Sequence, residues 1–115
     1  MKIPQHNYDC YKCAGNLHDV ESLLNAMKQG AAVAGAQIIG SSVTEYPVHG
    51  LTLVVFLEES HILLSTYPEL KYVVVEIFMC NDHADAKLCW RKIKEYLKPA
   101  NVKEYVFDHQ ISENI

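Results

Sequence analysis

The sequence predicts an α+β fold in which two helices pack on one face of an antiparallel sheet. The chain has 115 residues, the size of a single domain, so its elements should share one core. Two segments have the three- and four-residue apolar spacing of amphipathic helices, and four strand-like segments follow one another between them. Neighbouring strands with short connections favour antiparallel pairing, with both helices on the same side of the sheet.

The first helix is predicted from Val20 to Ala34. Its apolar side chains recur at helical spacing: Val20, Leu23, Leu24, Met27, Ala31 and Ala34. Asn16 with Asp19 forms a candidate N-terminal capping pair, because short polar side chains accept hydrogen bonds from the first backbone N–H groups. Gly35 is expected to end the helix, since glycine readily adopts the left-handed conformation.

The second helix is predicted from Ala84 to Leu97, with Asn81 or Asp82 as its N-terminal cap. Its apolar face comprises Ala86, Cys89, Trp90, Ile93, Tyr96 and Leu97. Lys98 suits the negative end of the helix dipole. Pro99 cannot continue the helix, so the helix should stop there.

The predicted strands share a high content of Val, Ile, Leu and aromatic residues and are separated by turn or charged residues. They run from Gln37 to Thr44, Leu51 to Leu57, His61 to Thr66 and Tyr72 to Phe78, with an opening strand around His6 to Cys13 and a last strand from Val102 to Phe107. Two helices on one face would leave the other face uncovered. Because a short chain buries a modest share of its surface, we expect a homodimer that covers this face.

Composition excludes several classes of function. The net charge is −4 and the pI is near 5.8, which argues against nucleic acid as a partner because phosphate binding needs clustered Lys and Arg. No apolar run approaches the ~20 residues that span a bilayer, so no membrane association is expected. The residues that follow Met1 lack the apolar stretch of a signal peptide. These observations predict a cytoplasmic protein.

The cysteines are expected to be free thiols, since nothing in the sequence indicates an oxidising compartment. They are Cys10, Cys13, Cys80 and Cys89. Cys10 and Cys13 form a single C-x-x-C pair, whereas a zinc site usually needs a second close pair. The alternatives for this pair are metal binding or redox chemistry, and burial of two free thiols is favoured over both. No metal site is predicted.

The segment from Glu58 to Glu69 carries the most informative pattern in the chain. By itself, Glu59-Ser60-His61 between two apolar strands is an ordinary polar turn. However, Thr66-Tyr67-Pro68-Glu69 follows, and Phe78-Met79-Cys80 places a cysteine twenty residues after Ser60. With this combination, and with the opening strand and first helix, nearly the whole chain resembles the prokaryotic S-adenosylmethionine decarboxylases.

The resemblance implies a proenzyme that cuts itself between Glu59 and Ser60, giving chains 1–59 and 60–115. Removing carbon dioxide from an amino acid leaves a carbanion that ordinary side chains cannot delocalise. In this family the Ser60 hydroxyl would attack the Glu59 carbonyl, and Ser60 would become a pyruvoyl group that serves as the cofactor. Cys80 matches the residue that returns a proton to the substrate. The implied product feeds spermidine synthesis.

Other site residues are implied by position. Thr52 stands where the family has a serine, and Ser65 where it has a histidine that assists processing. Tyr67 and, more loosely, Tyr46 match aromatic residues that stack on adenine, and Glu69 matches a residue that contacts ribose. Aromatic packing within the sheet is the alternative role for both tyrosines.

His61 should point to the opposite side of the strand from Ser60, and we interpret it as structural.

The chain also departs from the family pattern after its motifs. Asn81 stands where a glycine usually follows the cysteine, and Leu70-Lys71 replace the usual aromatic or His and Gly after Pro68-Glu69. These departures, together with Ser65 in place of the family histidine, leave two alternatives to an S-adenosylmethionine decarboxylase. One is a decarboxylase of ornithine or arginine, which would need a carboxylate to bind the distal cation. The other is an uncleaved, non-catalytic paralogue that acts as a binding partner.

Overall fold

The computed structural model describes residues 2–80 and 84–112 and confirms the predicted fold class. Its elements are β1 Lys2–Tyr11, α1 Val20–Ala34, β2 Ile38–Glu45, β3 Leu51–Leu57, β4 Ser60–Tyr67, a short 3₁₀ turn Pro68–Leu70, β5 Tyr72–Phe78, α2 Ala86–Leu97 and β6 Asn101–Gln110. Within this described part, the strands form one six-stranded sheet in the order β2-β3-β4-β5-β1-β6. Every neighbouring pair is antiparallel.

The helix ends follow the predicted capping chemistry, with one shift. For α1, Asp19 is the N-cap and accepts a hydrogen bond from the Ser22 N–H at 3.1 Å, and Gly35 ends the helix at φ +85°. Asn16 instead accepts from the His18 N–H in the preceding turn. The second helix begins two residues later than predicted, because Asp85 caps it by accepting from the Lys87 N–H at 3.0 Å.

The predicted caps Asn81 and Asp82 lie outside the described residues. At the other end, α2 stops where predicted. Lys98 adopts the left-handed conformation at φ +48° directly before Pro99, and its N–H donates to the Lys94 carbonyl at 2.9 Å. Neither helix in residues 2–80 and 84–112 is long and apolar enough to cross a membrane.

Both helices pack on the same face of the sheet, where the core lies. Alternate strand residues point into this core, for example Leu53 on β3 and Val75 on β5, which are both fully buried. Tyr8 on β1 stacks on Trp90 of α2 with 3.8 Å between ring centroids. The two helices approach closely at Gly30, where an added Cβ would lie 2.9 Å from the Cys89 carbonyl oxygen.

The opposite face of the sheet, called the outer face here, is not covered by any described part of the chain. It consists of the strand residues that alternate with the buried ones, and those at its centre are half-exposed: Thr52, Val54, Leu63, Ser65, Val74, Glu76 and Phe78. Its mixture of apolar and polar side chains differs from the mainly polar surface that a solvent-facing sheet usually has.

Candidate functional site

The turn before β4 holds the predicted cleavage bond. Glu58 and Glu59 alone connect β3 to β4, since Leu57 pairs directly with Ser60. Glu59 has a φ of +64°, a left-handed conformation that costs a non-glycine residue roughly 1–2 kcal/mol. The bond between Glu59 and Ser60 therefore lies where the backbone is strained and where a polar turn exposes it.

Ser60 and Cys80 meet at this end of the sheet, because β4 and β5 are neighbours. The Cys80 backbone N–H donates a hydrogen bond to the Ser60 hydroxyl oxygen at 3.3 Å. Both side chains are half-buried. They border one cavity of about 320 Å³, whose lining is Gly35, Ala36, Gln37, Leu57, Glu58, Glu59, Ser60, Met79, Cys80 and Ala84. The structure thus brings together Glu59, Ser60 and Cys80 of the predicted site.

Thr52, Ser65 and Tyr46 form a second group, joined by their hydroxyls. Thr52 pairs with Ser65 across β3 and β4, and their side-chain oxygens are 3.2 Å apart. The Tyr46 hydroxyl lies 2.8 Å from the Thr52 hydroxyl. This group is at the opposite end of the β3–β4 hairpin from Ser60. At ~3.3 Å per residue, five residues of strand separate Ser65 from Ser60 by roughly 16 Å.

Tyr67 and Glu69 lie at the same end as Ser65. Tyr67 ends β4 on the outer face, is 44 % exposed, and has its ring centroid 5.5 Å from that of Tyr72. Glu69 is exposed on the short 3₁₀ turn Pro68–Leu70. The predicted substrate-binding residues are therefore assembled with the Thr52–Ser65 pair and not with Ser60 of the same chain.

The remaining cysteines are buried free thiols, as predicted. Burial raises the pKa of Cys10 to about 12, and desolvation likewise raises the pKa of Cys13 to about 11 and of Cys89 to about 12. These shifts disfavour the thiolate that metal binding and redox chemistry require. Among residues 2–80 and 84–112, no three His, Cys, Asp or Glu side chains cluster closely enough to hold a metal ion.

Sequence reasoning missed a polar cluster on the outer face around Glu76. The Glu76 carboxylate accepts a hydrogen bond from the Gln5 amide, and its other oxygen is 3.4 Å from Nε2 of His61. The Gln5 amide oxygen is 2.9 Å from Nε2 of His109. The sequence signal that could have indicated this cluster is Glu76 itself, the single carboxylate in the otherwise apolar strand Tyr72–Phe78. His61 shares the outer face with Glu76, as strand alternation indicated.

Comparisons with known proteins agree with this geometry. The family model described as S-adenosylmethionine decarboxylase matches residues 5–110. An S-adenosylmethionine decarboxylase proenzyme of Thermosipho melanesiensis is 34% identical over 102 residues, covering 89% of this chain and 75% of the relative. The one from Pyrobaculum islandicum is 33% identical over 114 residues, covering 95% of this chain and 90% of the relative.

A solved structure shares the fold. The crystal structure of the adenosylmethionine decarboxylase from Aquifex aeolicus superposes with a TM-score of 0.81 and covers 99% of this chain and 96% of that chain. The two sequences are 24% identical. This likeness shows that the two-helix, antiparallel-sheet architecture is common to both proteins.

Proposed function

Because the chain belongs to the S-adenosylmethionine decarboxylase family, we propose that it cuts its own backbone between Glu59 and Ser60 and then decarboxylates S-adenosylmethionine. One observation carries this proposal. The Ser60 hydroxyl, the strained Glu59 turn and Cys80 share one cavity, with the Cys80 N–H bonded to the Ser60 oxygen. The product would feed spermidine synthesis in the cytoplasm.

The bonds that break and form in the cleavage belong to this turn and to one water molecule. The Ser60 oxygen attacks the Glu59 carbonyl carbon, and the bond to the Ser60 nitrogen breaks as an ester bond forms. Elimination then releases the Glu59 carboxylate and leaves a double bond between Cα and Cβ of residue 60. Addition of water releases ammonia and leaves residue 60 as a pyruvoyl group at a new N-terminus.

The surroundings of Ser60 fit a group formed from this residue. Ser60 opens strand β4, so its backbone is held by pairing with Leu57 while its side chain borders the cavity. A pyruvoyl group there would supply the ketone that takes the substrate amine and accepts electrons as carbon dioxide leaves. Cys80, on the neighbouring strand and on the same cavity, would deliver the proton to the substrate α-carbon.

We further propose that the enzyme works as a homodimer with the outer faces in contact. In one chain, roughly 16 Å of strand separates Ser60 from the Thr52–Ser65 pair, too far for a proton transfer. If two sheets pack face to face with opposite strand directions, the Thr52–Ser65 pair of one protomer comes opposite the end of the hairpin that carries the Glu59–Ser60 bond in the other. The half-exposed apolar side chains of the outer face, such as Val54 and Leu63, would be buried at this contact.

The same packing would carry the substrate-binding residues to the cleavage site. Tyr67 and Tyr46 offer aromatic faces for adenine and for the sulfonium cation, and both are about half exposed. Glu69 is exposed and would accept hydrogen bonds from ribose hydroxyls. A basic amino acid is a second candidate substrate, because two outer-face carboxylates, Asp9 and Glu76, suit a distal amine or guanidinium.

The intact mass of the purified protein tests self-cleavage. We expect two fragments corresponding to chains 1–59 and 60–115, with the second blocked to Edman sequencing by its pyruvoyl terminus. Ser60→Ala should leave one uncut chain. An uncut wild-type chain after long incubation would contradict the enzyme proposal and favour a non-catalytic binding protein.

A substrate panel then separates the two candidate activities. Release of carbon dioxide from S-adenosylmethionine, ornithine and arginine is measured with the cleaved protein, with Ser60→Ala as the blank. Turnover of S-adenosylmethionine above the other two supports the proposal. Turnover of a basic amino acid alone would assign the second candidate.

A further inference from the structure

Three tyrosines form a row across the outer face, at the end of the sheet where Tyr67 lies. Tyr67 of β4 pairs directly with Tyr72 of β5, and Tyr11 of β1 lies on the other side of Tyr72. The ring centroids of Tyr72 and Tyr67 are 5.5 Å apart, and those of Tyr72 and Tyr11 are 5.3 Å apart. Tyr72 is therefore the central ring of the row and contacts both of its neighbours.

A hydrogen bond fixes the far end of this central ring. The Tyr72 hydroxyl donates to the Asp9 carboxylate at 2.9 Å. Asp9 stands two residues before Tyr11 on β1, so it lies on the same face of the sheet and diagonally across from Tyr72. Burial and the bond to this carboxylate both raise the pKa of Tyr72, so its hydroxyl keeps the proton that it donates.

The Asp9 carboxylate is itself held in a favourable place. Lys103 of β6 stands directly opposite Asp9, and opposite charges on facing strands attract each other. Asp9 and Tyr72 are both half-buried. Tyr67, by contrast, ends β4 and has an exposed side chain. A ring that receives a ligand binds it more tightly when its orientation is set in advance, because less side-chain freedom is lost on binding.

We propose that Asp9 and Tyr72 are positioning residues for Tyr67, and that they set the orientation of the ring on which the adenine of the substrate stacks. The inference rests on the proposed function, in which Tyr67 supplies that ring. Tyr72 packs beside Tyr67 with 38° between the two ring planes, and the exposed part of the Tyr67 ring receives the base. Asp9 acts on the substrate through Tyr72, because its carboxylate holds the Tyr72 hydroxyl.

The test separates KM from kcat in the cleaved enzyme. Tyr72→Phe keeps the ring and removes only the bond to Asp9. We expect KM for S-adenosylmethionine to rise about three- to tenfold, the scale of one aromatic contact, while kcat and the rate of self-cleavage stay unchanged. Tyr96→Phe is the matched control, because it removes a hydroxyl that donates to the Asn16 carbonyl at 2.7 Å in the helix layer. It should keep the wild-type KM.

Substitutions of Asp9 test the hydrogen bond from its other side. Asp9→Asn keeps an oxygen that accepts from the Tyr72 hydroxyl, so its KM should stay near that of the wild type. Asp9→Leu has no acceptor, and its KM should rise as in Tyr72→Phe. The double variant Tyr72→Phe with Asp9→Leu should be no worse than either single variant, because both remove the same bond. Circular dichroism and a thermal melt establish that each variant folds.

The affinity for adenosine gives a measurement that does not depend on turnover. Adenosine carries the base and the ribose but has no amino acid part to react, and its dissociation constant is measured by calorimetry. We expect Tyr72→Phe and Asp9→Leu to weaken adenosine binding by the same factor by which they raise KM. Tyr67→Ala should weaken it more than either, because it removes the stacking ring itself.

The possible results separate this inference from the proposed function. A wild-type protein that does not turn over S-adenosylmethionine would remove the proposed function, and the adenosine comparison would still decide the inference. Equal adenosine affinities of the wild type and Tyr72→Phe would overturn the positioning role and leave the proposed function intact. A fall in kcat at unchanged KM, additive losses in the double variant, or a wild type that binds no adenosine would overturn it as well.

Discussion

At the residue scale, the proposed roles of Ser60 and Cys80 separate processing from turnover. Ser60 begins at the proposed cleavage bond, and the Cys80 backbone N–H donates a hydrogen bond to its hydroxyl oxygen. The Cys80 thiol is half-buried on the same cavity, whereas the other cysteines are buried and have raised pKa values. The position of Cys80 on this cavity supports its proposed role as the proton donor to the substrate.

Cys80→Ala should still cleave but lose most decarboxylation. The backbone N–H that contacts Ser60 remains in the variant, while the proton donor for the substrate α-carbon is gone. Fragment masses and carbon dioxide release are followed in parallel. The variant should also inactivate faster, because a proton delivered to the wrong atom transfers the substrate amine to the pyruvoyl group. Full turnover by Cys80→Ala would mean that another group donates the proton.

Ser65→His should cleave faster than the wild type. An imidazole titrates near neutral pH and exchanges protons far better than a hydroxyl, and acid–base assistance is worth up to ~10²–10⁴-fold. The rate of fragment formation is compared with that of Ser65→Ala, which should be slowest. An equal or lower rate for Ser65→His would show that this chain has a processing route that does not use position 65.

At the element scale, helix α2 depends on its cap. The Asp85 carboxylate accepts hydrogen bonds from the backbone N–H groups of Lys87 and Leu88 at 3.0 and 3.4 Å. These two donors lie in the first turn of the helix, where no carbonyl within the helix can accept from them. The apolar face that follows carries Trp90, which stacks on Tyr8 in the core. Loosening the start of α2 therefore weakens the packing of the helix layer on the sheet.

Asp85→Ala should destabilise the fold by about 1 kcal/mol, since loss of an N-cap typically costs that much. Urea unfolding is measured in the uncut Ser60→Ala background, so that cleavage does not complicate the transition. Asp85→Asn is the matched control, because Asn also caps and should lose only a few tenths of a kcal/mol. Equal stability of Asp85→Ala and the parent would show that another group satisfies these N–H donors.

At the scale of the whole molecule, the one-sided helix layer is the basis of the proposed dimer. The outer face carries half-exposed apolar side chains next to the Thr52–Ser65 pair and the Glu76 cluster. No single chain can bring that pair to Ser60, because a β-strand is stiff and extended. The proposed site is therefore complete only when two protomers share it.

Mixed dimers test this sharing. Ser60→Ala keeps Thr52 and Ser65 but has no nucleophile, and Thr52→Val/Ser65→Ala keeps Ser60 but lacks the hydroxyl pair. Each variant expressed alone should remain largely uncut. Expressed together, the chain with an intact Ser60 should be cleaved, because its partner supplies the hydroxyls. Cleavage of Thr52→Val/Ser65→Ala alone at the wild-type rate would contradict a role for the pair.

The elements could be predicted because they depend on local patterns. Apolar spacing and capping residues gave α1 its observed bounds, Val20–Ala34. A high content of Val, Ile, Leu and aromatic residues between turn or charged residues did the same for β3 and β5. The motif from Glu59 to Cys80 likewise identified the family. The start of α2 was misplaced by two residues, because several neighbouring polar residues could cap it and only the geometry selects Asp85.

By itself, the sequence determined the fold class and the family and pointed to the proposed site residues, since periodicity and motif spacing are properties of the chain. Only the tertiary structure decided that these residues form two groups at opposite ends of one hairpin. Strand pairing set this division, placing Thr52 opposite Ser65 and Leu57 opposite Ser60. Strand pairing also brings Tyr46 to Thr52 across the β2–β3 turn, and Gln5 of β1 to Glu76 of β5. Both contacts depend on the register of the strands, which the local sequence pattern does not specify.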